Sequence, residues 1–119
     1  MNELAAYIED IFALFGPVSL RRMFGGHGIF RDGVMFGLVF DGTLYLKADA
    51  ENIAAFEQQG LEQFTYTRQG KLVGLSYYRA PDHLMEDPHD AVRWAQGSFA
   101  AALRADRKRA QRTKRHPAF

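Results

Sequence analysis

The sequence predicts an α+β fold: an antiparallel sheet of about five or six strands, a meander plus a hairpin, packed by helices. An N-terminal helix and a long C-terminal helix flank the sheet, and a short helix separates the two strand groups. Two observations carry this. Apolar residues recur at helical spacing near both ends of the chain, whereas between them short apolar runs alternate with turn dipeptides.

Each element has its own signal. In residues 2–15, Leu4, Ile8, Ile11, Phe12 and Phe15 form one apolar stripe, and Gly16-Pro17 stops the helix. Arg21 to Phe24 then reads as an edge strand, and Ile29-Phe30 belongs to the strand before the first Asp-Gly. Asp32-Gly33 and Asp41-Gly42 are hairpin turns, because a primed turn needs positive φ. They frame paired strands at 34–40 and 43–47. Asp49 is placed to cap a short helix over 50–59, and Gly60 suits its C-terminal end. Strands at 63–67 and 72–79 meet near Gln69-Gly70, with Gly74 marking close packing or a bulge. Asp82 opens a single turn. Asp87-Pro88-His89-Asp90 starts the last helix with a cap, a proline and an acid in the first turn. Its buried stripe is Ala91, Val92, Ala95, Phe99, Ala102 and Leu103.

Composition narrows the function classes. At 119 residues with 47% hydrophobic residues, the chain is one ordinary domain able to bury a core unaided. Residues 1–103 are read as the α+β body and 104–119 as a basic helical extension or tail. The absence of cysteine removes disulfides, thiolate zinc sites and cysteine nucleophiles, and fits the cytoplasm. No signal peptide or membrane span is legible. Of the 15 Lys and Arg residues, seven fall within 104–116 beside a single Asp, leaving eight basic against thirteen acidic residues elsewhere. Such asymmetry favours an anionic partner, although cations there also suit the helix dipole.

The glycine cluster in Arg21-Arg22-Met23-Phe24-Gly25-Gly26-His27-Gly28-Ile29-Phe30 invites a phosphate-loop reading, which the residues do not support. No Lys followed by Ser or Thr completes a P-loop, and the third glycine of a dinucleotide fingerprint is missing. Gly25-Gly26-His27-Gly28 fits the G-x-x-G of KH domains, but that loop joins helices and this one joins strand-like segments. The stretch reads as a bent first strand whose glycines serve the backbone. The four histidines lack metal-ligand spacing, and no serine sits in a nucleophile elbow. The sequence therefore predicts no enzyme, no cofactor and no metal site. The candidates for touching a partner are Arg21, Arg22 and His27, with Arg104, Arg107, Lys108, Arg109, Arg112, Lys114 and Arg115 in the tail. Arginine forks match phosphate geometry. Equally, Arg21 and Arg22 pairing with carboxylates would hold the sheet edge. Tyr77 and Tyr78 could stack on bases, but alternation sends one of each pair inward.

Several linked segments resemble the N-terminal domain of the TfoX/Sxy family. They are Arg21-Arg22-Met23-Phe24-Gly25-Gly26, Gly28-Ile29-Phe30, Asp32-Gly33-Val34-Met35-Phe36-Gly37-Leu38, Leu44-Tyr45-Leu46-Lys47, Ser76-Tyr77-Tyr78-Arg79-Ala80-Pro81 and Trp94-Ala95. The resemblance covers roughly residues 5 to 103. It implies a small bacterial α+β domain with no catalytic residues. Full proteins of the family regulate DNA-uptake competence genes with the cyclic-AMP receptor protein, and carry a second, helical domain where this chain has its basic tail. The resulting expectation is a non-enzymatic interaction module in transcriptional regulation. It would bind a protein partner, with nonspecific nucleic-acid attraction from the tail and no membrane. The alternative is a small-molecule-binding or enzymatic domain with a pocket between sheet and helices. Self-association through an exposed strand edge is a further option.

Overall fold

The structure, a computed structural model, describes residues 3–23 and 25–115, with side chains at all of these except 4 and 113–115. Leu4 and Phe24, and with them Lys114, Arg115 and His116 of the tail, lie outside the described side chains. The elements run α1 (Glu3–Ile11), β1 (Ser19–Met23), β2 (Gly26–Arg31), β3 (Val34–Phe40), β4 (Thr43–Lys47), α2 (Ile53–Gln58), β5 (Gln63–Arg68), β6 (Lys71–Arg79), a 3-10 turn (Asp82–Met85) and α3 (Pro88–Arg115). The strands form one open sheet of order β1-β2-β3-β4-β6-β5, antiparallel throughout. This is the predicted α+β architecture.

Three of the tight hairpins share one turn geometry. Asp32-Gly33, Asp41-Gly42 and Gln69-Gly70 all have positive φ at both residues, the primed turn that matches strand twist. Gly60 has φ +66, as the end of α2 requires. Asp87 Oδ1 accepts from the Asp90 N–H at 3.0 Å and caps α3.

Three local expectations change. First, α1 ends at Ile11, and Phe12 to Phe15 form a turn rather than more helix. Both Phe12 and Phe15 are still buried, so the apolar stripe outlasts the helix that suggested it. Second, α2 is only Ile53–Gln58. Asp49 does not cap it: the Asn52 side chain and the Asp49 carboxylate build a turn ahead of it instead, with Asp49 N–H donating to Asn52 Oδ1 and Glu51 N–H to Asp49 Oδ1. Third, the glycine stretch is not one bent strand. It is the β1–β2 hairpin, folded so that Met23 pairs with Gly26.

Backbone proximity explains two of its glycines. A Cβ on Gly26 would lie 2.2 Å from the Val39 carbonyl oxygen, inside β3's backbone. A Cβ on Gly28 would meet Met23 Sδ at 2.6 Å and the Phe30 ring at 2.9 Å. Next along, the β2–β3 register shifts between Ile29 and Phe30. Ile29 pairs with Gly37 and Phe30 with Met35, which leaves Phe36 as the extra residue of a bulge.

The bulge feeds the core. Phe36 is fully buried and makes edge-to-face contacts with Phe12, Phe15 and Phe99 at 5.6, 5.2 and 6.2 Å. Arg31 caps this group, its guanidinium 4.4 Å from the Phe15 ring centre. At the other end of the core, Phe56 meets Tyr78 and Trp94 at 5.7 and 5.0 Å. The helices all contribute to this one cluster on one face of the sheet. The centre of the layer between sheet and helices is therefore filled by aromatic rings.

Candidate functional site

The other face of the sheet carries a second cluster drawn only from strands: Leu38, Phe64 and Tyr77, with Met35, Phe40, Tyr45, Tyr66 and Leu75 partly buried around them. Phe64 is its centre. Its ring lies 5.4 Å from Phe40, 4.9 Å from Tyr45 and 6.2 Å from Tyr66, the last stacked. A cleft of about 360 Å³ opens beside it, between Phe40, Tyr66, Leu75 and the threonines of β5.

The sheet's charge is one-sided. None of the six strands contains an Asp or Glu, while seven Lys or Arg lie in them. Alternation and register place five of these on the second face. Arg21 pairs with Gly28 and stands 4.8 Å over the Phe30 ring. Arg79 pairs with Tyr45, Lys47 with Tyr77, and Arg68 with Lys71 beyond Phe64 and Tyr66. Arg79 is bonded to Asp82 at 3.0 Å. Arg68 and Lys71 are exposed and have no ion pair among the described residues.

Lys47 sits where α3 reaches this face. Its Nζ donates to Ser76 Oγ at 2.8 Å and lies 5.0 Å from the Tyr77 ring centre. Burial, with Arg109 nearby, holds the Lys47 ammonium below the usual lysine range. Burial also pushes the Tyr77 phenol up to about 12. A small cavity here is bordered by Met35, Lys47 and Tyr77 from the sheet and by Ala105, Asp106 and Arg109 from α3.

The sequence-derived candidates separate into distinct roles. Arg21 and Arg22 do not act as a pair: Arg21 belongs to the second face, and Arg22 lies opposite His27 on the helix-bearing side. Neither forms an ion pair among the described residues. Tyr78 packs into the helix-side core, and Tyr77 is largely buried in the second cluster.

The basic residues of α3 also divide. Arg104 grips Asp49 through two bonds, Nε to Oδ2 at 2.6 Å and Nη2 to Oδ1 at 2.9 Å, and approaches Glu51 at 3.2 Å. It ties the helix to the loop after β4. Arg109 bonds Asp106 one turn back. Arg107, Lys108 and Arg112 are exposed and carry no ion pair among the described residues. The helix continues unbroken through Leu103 to Arg115, so these cations stand on a regular helix.

The Arg104 guanidinium, by donating to Asp49, holds that carboxyl below the usual range. A lowered carboxylate pKa gives stability that is present above the unfolded value, about 3.9, and lost as pH falls through the folded value. Asp49→Asn should therefore lower stability at neutral pH and flatten the acid side of the profile. Urea midpoints measured at neutral and acid pH check this; parallel profiles for the two proteins would contradict it. Asp90 is likewise lowered, chiefly by its hydrogen bond with His83.

Among the described residues no group of three or more His, Asp or Glu could hold a metal ion, and no helix is long and apolar enough to cross a membrane. Ser98 is fully buried in α3, and its hydroxyl has no hydrogen-bond partner among the described residues.

An open antiparallel sheet, helices packed over one face and a glycine hairpin at one edge define an α+β domain of a distinctive kind. The chain belongs to the family of the TfoX N-terminal domain, whose model matches residues 10–102. It is 32% identical over 87 residues to the DNA transformation protein TfoX1 of Aliivibrio fischeri, covering 70% of this chain and 42% of that protein. It is 30% identical over 96 residues to Protein Sxy of Escherichia coli, covering 81% of this chain and 46% of that one. The chain thus matches less than half the length of these curated relatives.

Proposed function

We propose that the chain is a non-enzymatic interaction module of competence-type transcriptional regulation, working in the cytoplasm. Its body contacts a protein partner of the transcription machinery, and the distal half of α3 adds nonspecific attraction to nucleic acid. Support for the regulatory part comes from the family and from the relative named for DNA transformation.

The observation that carries the nucleic-acid part is the sorting of the α3 cations. Arg104 and Arg109 are engaged by carboxylates, whereas Arg107, Lys108 and Arg112 are exposed and unpaired among the described residues. On a helix they project at i, i+1 and i+5, within two turns, so they meet neighbouring phosphates without a fold of their own. Phe12, Phe36 and Phe56 fill the centre of the layer between sheet and helices, which leaves a pocket there room at its margin, as at the small cavity of Lys47, Tyr77 and Arg109.

The test keeps the chain whole. Neutralising Arg107, Lys108 and Arg112 to glutamine should weaken duplex DNA binding and reduce the slope of log affinity against log salt by up to about 3, roughly 0.9 per lost phosphate contact. Fluorescence anisotropy over a salt series reads both. An unchanged affinity and slope would remove the helix from the nucleic-acid contact.

A further inference from the structure

Beyond the regulatory role and the basic helix, we infer that the sheet face carrying the strand-only aromatic cluster around Phe64 is a binding platform for single-stranded nucleic acid. Three features of that face select this occupant.

The first is charge. No strand carries a carboxylate, and of the five Lys or Arg on this face Arg79 is held by Asp82 and Lys47 by Ser76, while Arg21, Arg68 and Lys71 form no ion pair among the described residues and attract a polyanion. Two copies of the chain would repel each other across such a face. The second is the pair at the end of the β5–β6 hairpin. Arg68 and Lys71 stand directly opposite each other, and like charges so placed destabilise a hairpin unless something between them is negative. Among the described residues no carboxylate pairs with either. A phosphate would occupy that position.

The third is the aromatic floor. Phe40, Tyr45 and Tyr66 surround Phe64 and remain partly open, beside a cleft of about 360 Å³. That size lies in the range of small-ligand pockets, roughly 300–1,000 Å³, and suits a base rather than a protein segment. Aromatic rings flanked by cations stack bases without regard to sequence. Only a single strand offers such bases, because in a duplex they are already stacked.

The experiment uses the full chain and a short fluorescein-labelled oligothymidylate, with a mixed-sequence duplex of equal length as comparison. Three variants are titrated by anisotropy: Tyr66→Leu, the exposed pair Arg68→Glu with Lys71→Glu, and the α3 triple neutralisation described above. The expected result is tighter binding of the single strand than of the duplex. Tyr66→Leu should weaken single-strand binding roughly tenfold, as loss of one stacked base predicts, while leaving duplex binding unchanged. The charge reversal should weaken it further and lower its salt slope, and the helix variant should affect mainly the duplex. Circular dichroism melts establish that the variants fold. If Tyr66→Leu unfolds the chain, the surface charge reversal decides alone. Equal affinity for both nucleic acids, or single-strand binding lost only with the α3 variant, overturns the platform. So does a face that buries itself in a dimer by sedimentation and binds no oligonucleotide.

Discussion

Gly26→Val should destabilise the domain by about 3 kcal/mol or more, the upper end of what forced overpacking costs. The clash is with backbone, not with a side chain that could rotate away: the new Cβ would lie 2.2 Å from the Val39 carbonyl oxygen and 3.2 Å from the Phe40 Cα. To relieve it, β2 must separate from β3, and β1 hangs on the sheet only through β2. The result would appear as a large fall in urea midpoint with exchange protection lost first in β1 and β2. A mutant with an unchanged melting temperature would show that the strands can part cheaply. Gly42→Ala is the comparison. That position has positive φ but open space around it, so only backbone strain of about 1–2 kcal/mol is expected.

Phe36→Ala should cost about 3–5 kcal/mol. The ring is fully buried and touches the rings of Phe12, Phe15 and Phe99, which belong to the turn after α1 and to α3. Removing it opens a cavity where three elements meet, and rings held from different elements cannot all close in. Because the bulge exists to aim Phe36 inward, Phe36→Leu should recover only part of the loss. Thermal and urea denaturation measure both. A loss below about 1 kcal/mol for alanine would mean that the site collapses around the gap.

The strands were legible because their signals are local. Asp-Gly at 32–33 and 41–42 fixes two hairpins, and 34–40 and 43–47 follow at their observed bounds. The same locality explains the failures. Phe12 and Phe15 continue a helical period although the chain there is a turn: Ala13 and Phe15 bond three residues back, to Asp10 and Phe12, while both rings stay buried. Asp49 looks like a cap when read beside its neighbours, but Arg104, 55 residues away, engages its carboxylate. The β1–β2 turn has no Asp-Gly to announce it. Ser98 and Ala101 are small or polar and drop out of an apolar stripe, yet both are buried on α3.

The candidate surface was legible only in part. Tail basicity is plain in the sequence, but which cations are already engaged depends on Asp49, Glu51 and Asp106 in three dimensions. The aromatic face was missed because both faces of β3 are apolar, and in β5, where Phe64 and Tyr66 alternate with polar residues, period-two alternation cannot say which face the helices cover. A usable signal was present nonetheless: every acidic residue falls outside the strands.

The unbroken course of α3 has a mechanical consequence. At 28 residues it is about 42 Å long, a stiff spar anchored to β3 and β4 and to the loop at Asp49. Whatever the distal residues hold is not loosely tethered. It is kept at a set distance and azimuth from the sheet, as on a jig rather than as beads on a string. Inserting one residue near Ala105 would swing everything beyond it by roughly 100° about the axis while leaving composition and charge unchanged.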